Sequence, residues 1–224
     1  MSAETLRVFK TLRVCAAPTP TTMTSPPPLQ LGAYYHIYNR GVNRENVFRE
    51  ERNYRYFLEL YAKHIEPVAE TYAYCLLKNH FHVLVCTRES ADPSGLGDPK
   101  GLKTHPPSVA FSNFFNAYAK AINKTYGRTG SLFQHPFGRI LVETQSYLIQ
   151  LVRYIHCNPQ KHGLVSDFRE WPFSSYHAHL SRRPTRLRRA DVLAWFDGPA
   201  GFAAAHHAPV DKTALEPLAP DDFD

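Results

Sequence analysis

The chain has 224 residues, 43% hydrophobic and 21% charged, enough for one buried core with extensions and too apolar for a chain disordered throughout. Its apolar runs, such as residues 81–86, fall far short of the ~20 residues of a membrane helix, and the first thirty residues lack a sustained apolar stretch, so no membrane span is expected and the cytoplasm is the expected compartment. The net charge of +6 is uneven: residues 191–224 carry one lysine and seven acidic residues, net −6, which leaves +12 on the first 190 and makes nucleic acid the leading class of partner.

Residues 1–30 read as a flexible leader, with Pro18, Pro20 and Pro26 to Pro28 set among threonines and serines. Residues 33–38 are aromatic and β-prone and run into the turn signal Asn39-Arg40-Gly41, which predicts a first strand. Asn53 is placed to cap a helix whose apolar positions Tyr56, Phe57, Leu60, Tyr61 and Ile65 recur at helical spacing and stop before Pro67. Residues 68–77 and 80–87 are two apolar strands joined at Lys78-Asn79, and residues 90–108 read as an exposed loop.

A second helix is predicted over residues 109–126, with Phe111, Phe114, Phe115, Tyr118 and Ile122 on its apolar face and Gly127 as its stop. A fourth strand follows at 140–143. A third helix spans 145–157, carries Tyr147, Leu148, Leu151, Val152 and Ile155 as its buried stripe, and is terminated by Pro159. The order β-α-β-β-α-β-α describes an α+β domain over residues 31–180, a ferredoxin-like four-stranded antiparallel sheet with helices on one face. Residues 181–224 read as a basic arm, with Arg182, Arg183, Arg186, Arg188 and Arg189, and then an acidic tail that either competes with DNA phosphates for the basic body or only aids solubility, Trp195, Phe196 and Phe202 suggesting that part of it packs on the body. Cys15, Cys75, Cys86 and Cys157 are scattered with no C-x-x-C pair, which argues against a zinc ribbon or a disulfide-stapled domain.

His80 and His82 flank Phe81 within a strand, so both imidazoles project from one sheet face and can bind a divalent metal together. Tyr154 and Asn158 lie four apart on the third helix and share a face if the helix persists that far. A tyrosine phenolate is a competent nucleophile for phosphoryl transfer, and an amide oxygen can be a metal's third ligand. Each pair has a structural alternative: half-buried histidines satisfied by neighbours, a packed tyrosine, and an asparagine ending a helix.

The segments 35–41 (YHIYNRG), 77–84 (LKNHFHVL), 126–134 (YGRTGSLFQ), 153–159 (RYIHCNP) and 171–176 (WPFSSY) resemble, in the same order, the single-tyrosine transposases of the HUH endonuclease superfamily. They are most similar to the REP-associated tyrosine transposase branch, over roughly residues 33–180. The resemblance implies that His80 and His82 hold Mg²⁺ or Mn²⁺, that Tyr154 forms a 5′-phosphotyrosine with single-stranded DNA and frees a 3′-hydroxyl, and that Asn158 is the third ligand. Insertion-sequence relatives carry glutamine at that last position.

Arg128, Gln134, Arg139 and Lys161 are further candidates for contacts to a DNA hairpin, and His36 for a polar group near the site. The resemblance leaves monomer and homodimer open. Two other functions fit the residues. A zinc-dependent hydrolase would need a further carboxylate or histidine ligand, and a non-catalytic module could stack bases on Tyr35, Tyr72, Tyr74 and Phe81.

Overall fold

Strands β1 (Tyr34–Arg40), β2 (Ala69–Leu76), β3 (His80–Thr87) and β4 (Gly138–Val142) form one antiparallel sheet in the order β2-β3-β1-β4. Helix α1 (Glu51–His64) joins β1 to β2 and α2 (Pro107–Tyr126) joins β3 to β4, which are the two split βαβ units of a ferredoxin-like domain. The computed structural model describes residues 28–89 and 105–208. The leader as far as residue 27, most of the predicted 90–108 loop and the acidic tail beyond residue 208 lie outside the described residues. Among the described residues, no helix is long and apolar enough to cross a membrane.

Strand alternation gives the sheet two faces. On one, Tyr35 and Ile37 of β1 and Phe81, Val83 and Val85 of β3 meet Phe57, Phe114, Phe115 and Tyr118 of α1 and α2 in a buried aromatic core. Phe57 sits at its centre, its ring 5.1 Å from Phe81, 4.7 Å from Phe114 and 5.0 Å from Tyr118. The other face carries His36, His80 and His82 together with Leu84, Cys75 and Val142, and α3 (Gln145–Lys161) covers it with Leu148, Leu151, Val152 and Ile155. The helices are therefore divided between the faces, with only α1 and α2 on the expected one. The second face is itself too apolar to be left in water, so it needs its own cover.

Several element ends differ from the sequence pattern for local reasons. Asn53 does not precede α1 but stands at its third position, where its Oδ1 accepts the N–H groups of Arg49 at 2.9 Å and Glu50 at 3.0 Å. It satisfies the N–H groups of the N-cap and of the residue before it from inside the helix, while the Glu50 side chain accepts the N–H of Asn53 in return. Strand β1 continues through Asn39 and Arg40 because residues 132–134 pair with its end: Val42 N–H donates to Leu132 O at 3.1 Å and Gln134 N–H to Arg40 O at 2.8 Å.

Helix α3 runs past Pro159 to Lys161. Its stop is Gly163, in the left-handed region at φ 65°, with Gly163 N–H donating to Gln160 O at 3.0 Å and Leu164 N–H to Pro159 O at 2.9 Å. This is the paired closure that a glycine one residue beyond the cap makes cheaply. Proline in the last turn removes a single intrahelical bond, and the Asn158 side-chain amide donates to Tyr154 O at 3.0 Å beside the gap.

Beyond α3 the chain returns to β2. Leu76 N–H donates to Phe173 O at 2.9 Å, Ser175 N–H to Tyr74 O at 2.9 Å and Arg188 N–H to Thr71 O at 2.9 Å, so two short segments cover an edge strand that would otherwise be open to pairing. Three short helices, α4 (Tyr176–Leu180), α5 (Arg189–Trp195) and α6 (Pro199–His207), complete the layer over α3. The stretch marked in the sequence as arm and tail is thus, as far as residue 208, part of the fold, with Val192, Trp195, Phe196 and Phe202 buried.

A chain of neutral imidazoles ties this layer to α3. The Phe202 carbonyl can only accept, so His206 Nδ1 carries the proton shared with it at 2.8 Å. His206 Nε2 then accepts from His156 Nδ1 at 2.9 Å, His156 Nε2 accepts the Ser175 hydroxyl at 2.7 Å, and Ser175 Oγ accepts Tyr74 N–H at 2.9 Å. Burial is the main cause that pushes His206 and His179 down to about 4. The groups facing them are His156, Arg153, His207, Arg189 and Tyr176.

Both folded values lie below the unfolded value of about 6.5, so the stabilisation is complete above pH 6.5 and is lost as pH falls toward 4. Each imidazole contributes up to about 3 kcal/mol, at about 1.4 kcal/mol per pKa unit. Thermal melts of the full chain should show Tm falling steeply between pH 6.5 and 4, with a shallower fall in His206→Phe. Parallel curves for the two proteins would remove His206 as a source of the acid sensitivity.

Candidate active site

The site lies between the second sheet face and α3. Strand β1 supplies His36, Tyr38 and Arg40, and β3 supplies His80 and His82, with Tyr38 opposite His82 and Arg40 opposite His80 in the ladder. Across the interface, the Tyr154 ring is edge-on to His82 at 5.4 Å and to His36 at 6.3 Å. The His162 ring is edge-on to His80 at 4.9 Å. Asn158 lies one turn from each of Tyr154 and His162 on the same helix face. Tyr38 lies over Gly138 of β4, where a Cβ would stand 2.1 Å from the ring. Glycine there lets the aromatic ring lie flat on the sheet, 5.0 Å from His36.

The histidines are held by outer partners. His80 Nδ1 is 2.7 Å from Asn79 Oδ1, and an amide oxygen only accepts, so Nδ1 carries the proton and Nε2 the lone pair. His82 Nδ1 is 2.9 Å from His36 Nε2, a bond that orients the second ring from the neighbouring strand. Burial, reinforced by His162, Arg40 and Lys161, pushes His80 down to about 3. Burial, reinforced by His36 and His80, holds His82 well below the usual imidazole range. Both rings are neutral at neutral pH and retain a lone pair.

Asn158 offers an oxygen donor on the helix face that carries Tyr154. It is fully buried, its Nδ2 is spent on Tyr154 O, and its Oδ1 accepts no hydrogen bond among the described residues. A buried acceptor of this kind next to two neutral imidazoles fits a divalent cation. Among the described residues no three His, Cys, Asp or Glu side chains are grouped to hold a metal ion, so the amide oxygen is an essential member of any such set.

The basic candidates are distributed less tightly. The Lys161 ammonium lies 5.7 Å from the Tyr154 ring centre. Gln134 is exposed and joined through its backbone to Arg40. Arg128 is turned inward, with Nη1 on Asn123 Oδ1 at 2.8 Å and Nη2 paired with Glu45, and it fastens the loop after β1 to the end of α2. Arg139 stands on the opposite sheet face, its guanidinium 4.0 Å above the Phe137 ring.

The basic run is bound to the edge of β2. Arg186 pairs with Glu66 at 3.1 Å, Arg188 with Asp191 at 2.7 Å, and Arg189 donates to Ala178 O and Arg183 O at 2.7 Å each, while Arg182 and Arg183 are exposed. The backbone bond of Arg188 to Thr71, which faces Val85, sets this run along β3 from the histidines. Three residues of the site were not singled out from the sequence. Arg40 was read as part of a turn, Asn79 as a hairpin link, and His162 lay beyond the assumed helix end at Pro159.

No protein-family model matches the chain. A Haemophilus influenzae protein named "Putative REP-associated tyrosine transposase" is 31% identical over 110 residues, which cover 48% of this chain and 59% of that relative. The chain thus spans somewhat more than half the length of the curated relative it matches. Among solved structures, one described as a REP-associated tyrosine transposase bound to a REP hairpin superposes with a TM-score of 0.55 at 18% identity, over 73% of this chain and 89% of that one. The curated relative bears the name of the branch that the sequence segments resemble. The structure comparison carries the fold alone at that identity, and it agrees with the four-stranded antiparallel sheet and helices described above. The segments that resemble REP-associated tyrosine transposases in sequence converge here: 35–41 and 77–84 are the two histidine-bearing strands with their ends, and 153–159 is the tyrosine turn of α3. Segment 171–176 anchors β2 from outside, its Trp171 Nε1 donating to Leu76 O at 2.9 Å.

Proposed function

We propose that this chain cleaves and rejoins single-stranded DNA at hairpin-associated sites, as a transposase-like strand transferase with Tyr154 as nucleophile. The observation that supports this most is the meeting, within one chain, of a buried tyrosine, two neutral imidazoles and an uncommitted amide oxygen. In the reaction the Tyr154 hydroxyl oxygen bonds to the phosphorus as the P–O3′ bond breaks. The phenol loses its proton, and the departing 3′ oxygen takes one up and leaves as a hydroxyl. One phosphodiester is exchanged for another, so rejoining needs no outside energy.

His80, His82 and Asn158 would hold Mg²⁺ or Mn²⁺, which when bound neutralises charge on the scissile phosphate. His36 and Asn79 orient the two imidazoles from behind. Packing against His82 and His36 fixes the direction of the Tyr154 ring, and the Lys161 ammonium beside it favours the attacking phenolate. Positioning and electrostatics therefore supply most of the rate. Tyr154 packs on His82 and His36 of its own chain, which supports cleavage by a monomer.

The test uses a pool of single strands that each carry a hairpin with randomised flanks and a label at the 3′ end, since the 3′ fragment keeps the phosphate. The full chain with Mg²⁺ or Mn²⁺ should acquire the label covalently. Binding without an adduct in either cation would reduce the protein to a non-catalytic module. His80→Ala and His82→Ala should each weaken Mn²⁺ binding at least about tenfold by calorimetry, because a set of three protein ligands cannot spare one. Unchanged affinity in both variants would return the pair to a packing role.

A further inference from the structure

A second concave surface adjoins the histidine end of the sheet. A cavity of about 500 Å³ beside the Lys78-Asn79 link is lined by the rings of Phe48, Tyr54 and Phe173 and by Asn46, Arg49 and Lys78. Its wall is fastened to the β2–β3 hairpin, Phe48 N–H donating to Lys78 O at 2.9 Å and Leu76 N–H to Phe173 O at 2.9 Å. His80 follows Lys78 by two residues, about 7 Å of chain at most. A strand with a phosphate at the proposed active site can therefore reach this cavity by passing round the hairpin link.

The three rings form one stack. Phe48 lies 4.4 Å from Tyr54 at 13°, and Tyr54 lies 3.7 Å from Phe173 at 5°. Phe48 and Tyr54 are buried, whereas Phe173 is only half-buried and its neighbour Pro172 is exposed. Trp171 does not close the stack. Its ring is 6.0 Å from Phe173 and 6.4 Å from Tyr54, close to perpendicular to both, and a ring so nearly equidistant from two stacked rings stands alongside them. Phe173 is the outer end of the stack. The charges around it suit a strand of phosphates. Of the two carboxylates in the lining, Glu50 pairs with Arg52 at 2.9 Å and Glu51 pairs with Arg55, so both are balanced by arginines of α1. The exposed side chains of Arg49 and Lys78 then leave the rim positive.

We propose that this cavity holds one unpaired nucleobase of the single-stranded flank, stacked on Phe173 as the next member of the Phe48–Tyr54–Phe173 stack, with Lys78 and Arg49 on the adjoining phosphates. This rests on the reading of single-stranded DNA as the substrate. Phe173 and Lys78 are then binding residues that fix the register of the strand relative to Tyr154, and the ring contact accepts any base because every base has a π-face.

The test needs neither metal nor cleavage. Strands are selected by binding from the pool with randomised flanks, and 2-aminopurine, whose fluorescence is quenched on stacking, is moved stepwise along the flanks. On binding to the full chain, one flank position should be quenched. An abasic site there should weaken binding about fivefold or more, the lower bound for one stacked base. Phe173→Leu should abolish the quenching and weaken binding of the intact strand by the same factor, with no further loss on the abasic strand. Phe173→Tyr should retain both. Lys78→Ala should weaken all strands alike and lower the slope of log affinity against log salt by about 0.7, the value for one phosphate of a single strand. A tightly bound strand with no quenched position, or losses from Phe173→Leu and the abasic site that add, overturns the proposal whether or not an adduct forms. If Phe173→Leu fails to fold, abasic sites of uniform effect and an unchanged salt slope in Lys78→Ala overturn it instead. Failure to retain any strand overturns both this site and the reading it rests on. Quenching that depends on Phe173 in a protein that forms no adduct leaves this contact standing and removes only the cleavage.

Discussion

Tyr154→Phe should eliminate covalent attachment of single-stranded DNA while leaving hairpin binding within a few-fold of wild type. Only the attacking oxygen is lost. The ring keeps its edge contacts to His82 at 5.4 Å and His36 at 6.3 Å, so α3 stays seated on the sheet and Asn158 keeps its place one turn on. The other tyrosine of α3, Tyr147, stands two turns away from Tyr154, so the loss should be complete and not graded. The measurement is the yield of labelled adduct on a denaturing gel, beside a binding titration with the same strand. Mn²⁺ affinity serves as the internal control and should be unchanged. Residual adduct in this variant would move the nucleophile to Tyr38, the other tyrosine that approaches His82, with ring centres 6.2 Å apart.

Much of this site was legible because its parts follow local periodicities. Two-residue alternation alone puts His80 and His82 on one sheet face, and four-residue spacing alone puts Tyr154 and Asn158 on one helix face. The aromatic stripe of α2 was equally plain: Phe111, Phe114, Phe115, Tyr118 and Ile122 are all buried as their spacing predicts. What periodicity does not contain is which side of the sheet the third helix covers. That is decided by the apolar residues of the second face, Leu84, Cys75 and Val142, drawn from three different strands.

The end of α3 was misplaced for a different reason. Pro159 carries a strong local penalty, but in a last turn the penalty is small, and Gly163 provides the better stop. Since His162 lies between the two, moving the helix end is what brings it into the site. Charge runs are legible as composition and illegible as contacts. Arg186 finds Glu66 across 120 residues of chain and Arg128 finds Glu45 across 83, so most of these arginines are occupied by the fold. Meanwhile Arg40, which contributes to the field at His80, looked like a turn residue.

The C-terminal layer should matter to the site as much as any residue in it, and Phe202→Ala is the sharpest way to show this. Phe202 is fully buried, with its ring 4.3 Å from His206, 5.2 Å from Phe196, 5.4 Å from His179 and 5.5 Å from Tyr176. Through the His206–His156 bond and the donation of Arg153 Nη2 to Ala208 O at 2.7 Å, this layer holds the outer side of the helix that presents Tyr154 on its inner side. Truncating a core phenylalanine costs about 3–5 kcal/mol, against a typical total of about 5–15 kcal/mol. Phe202→Ala should therefore lower Tm by more than ten degrees and abolish adduct formation near the new midpoint, with activity returning on cooling. By the same argument, cutting the chain after Ala190 removes Val192, Trp195, Phe196 and Phe202 together and unseats α3. If Phe202→Ala melts with the wild type and attaches DNA at the same temperatures, the C-terminal helices are an appendage, and α3 is held in place by the sheet alone.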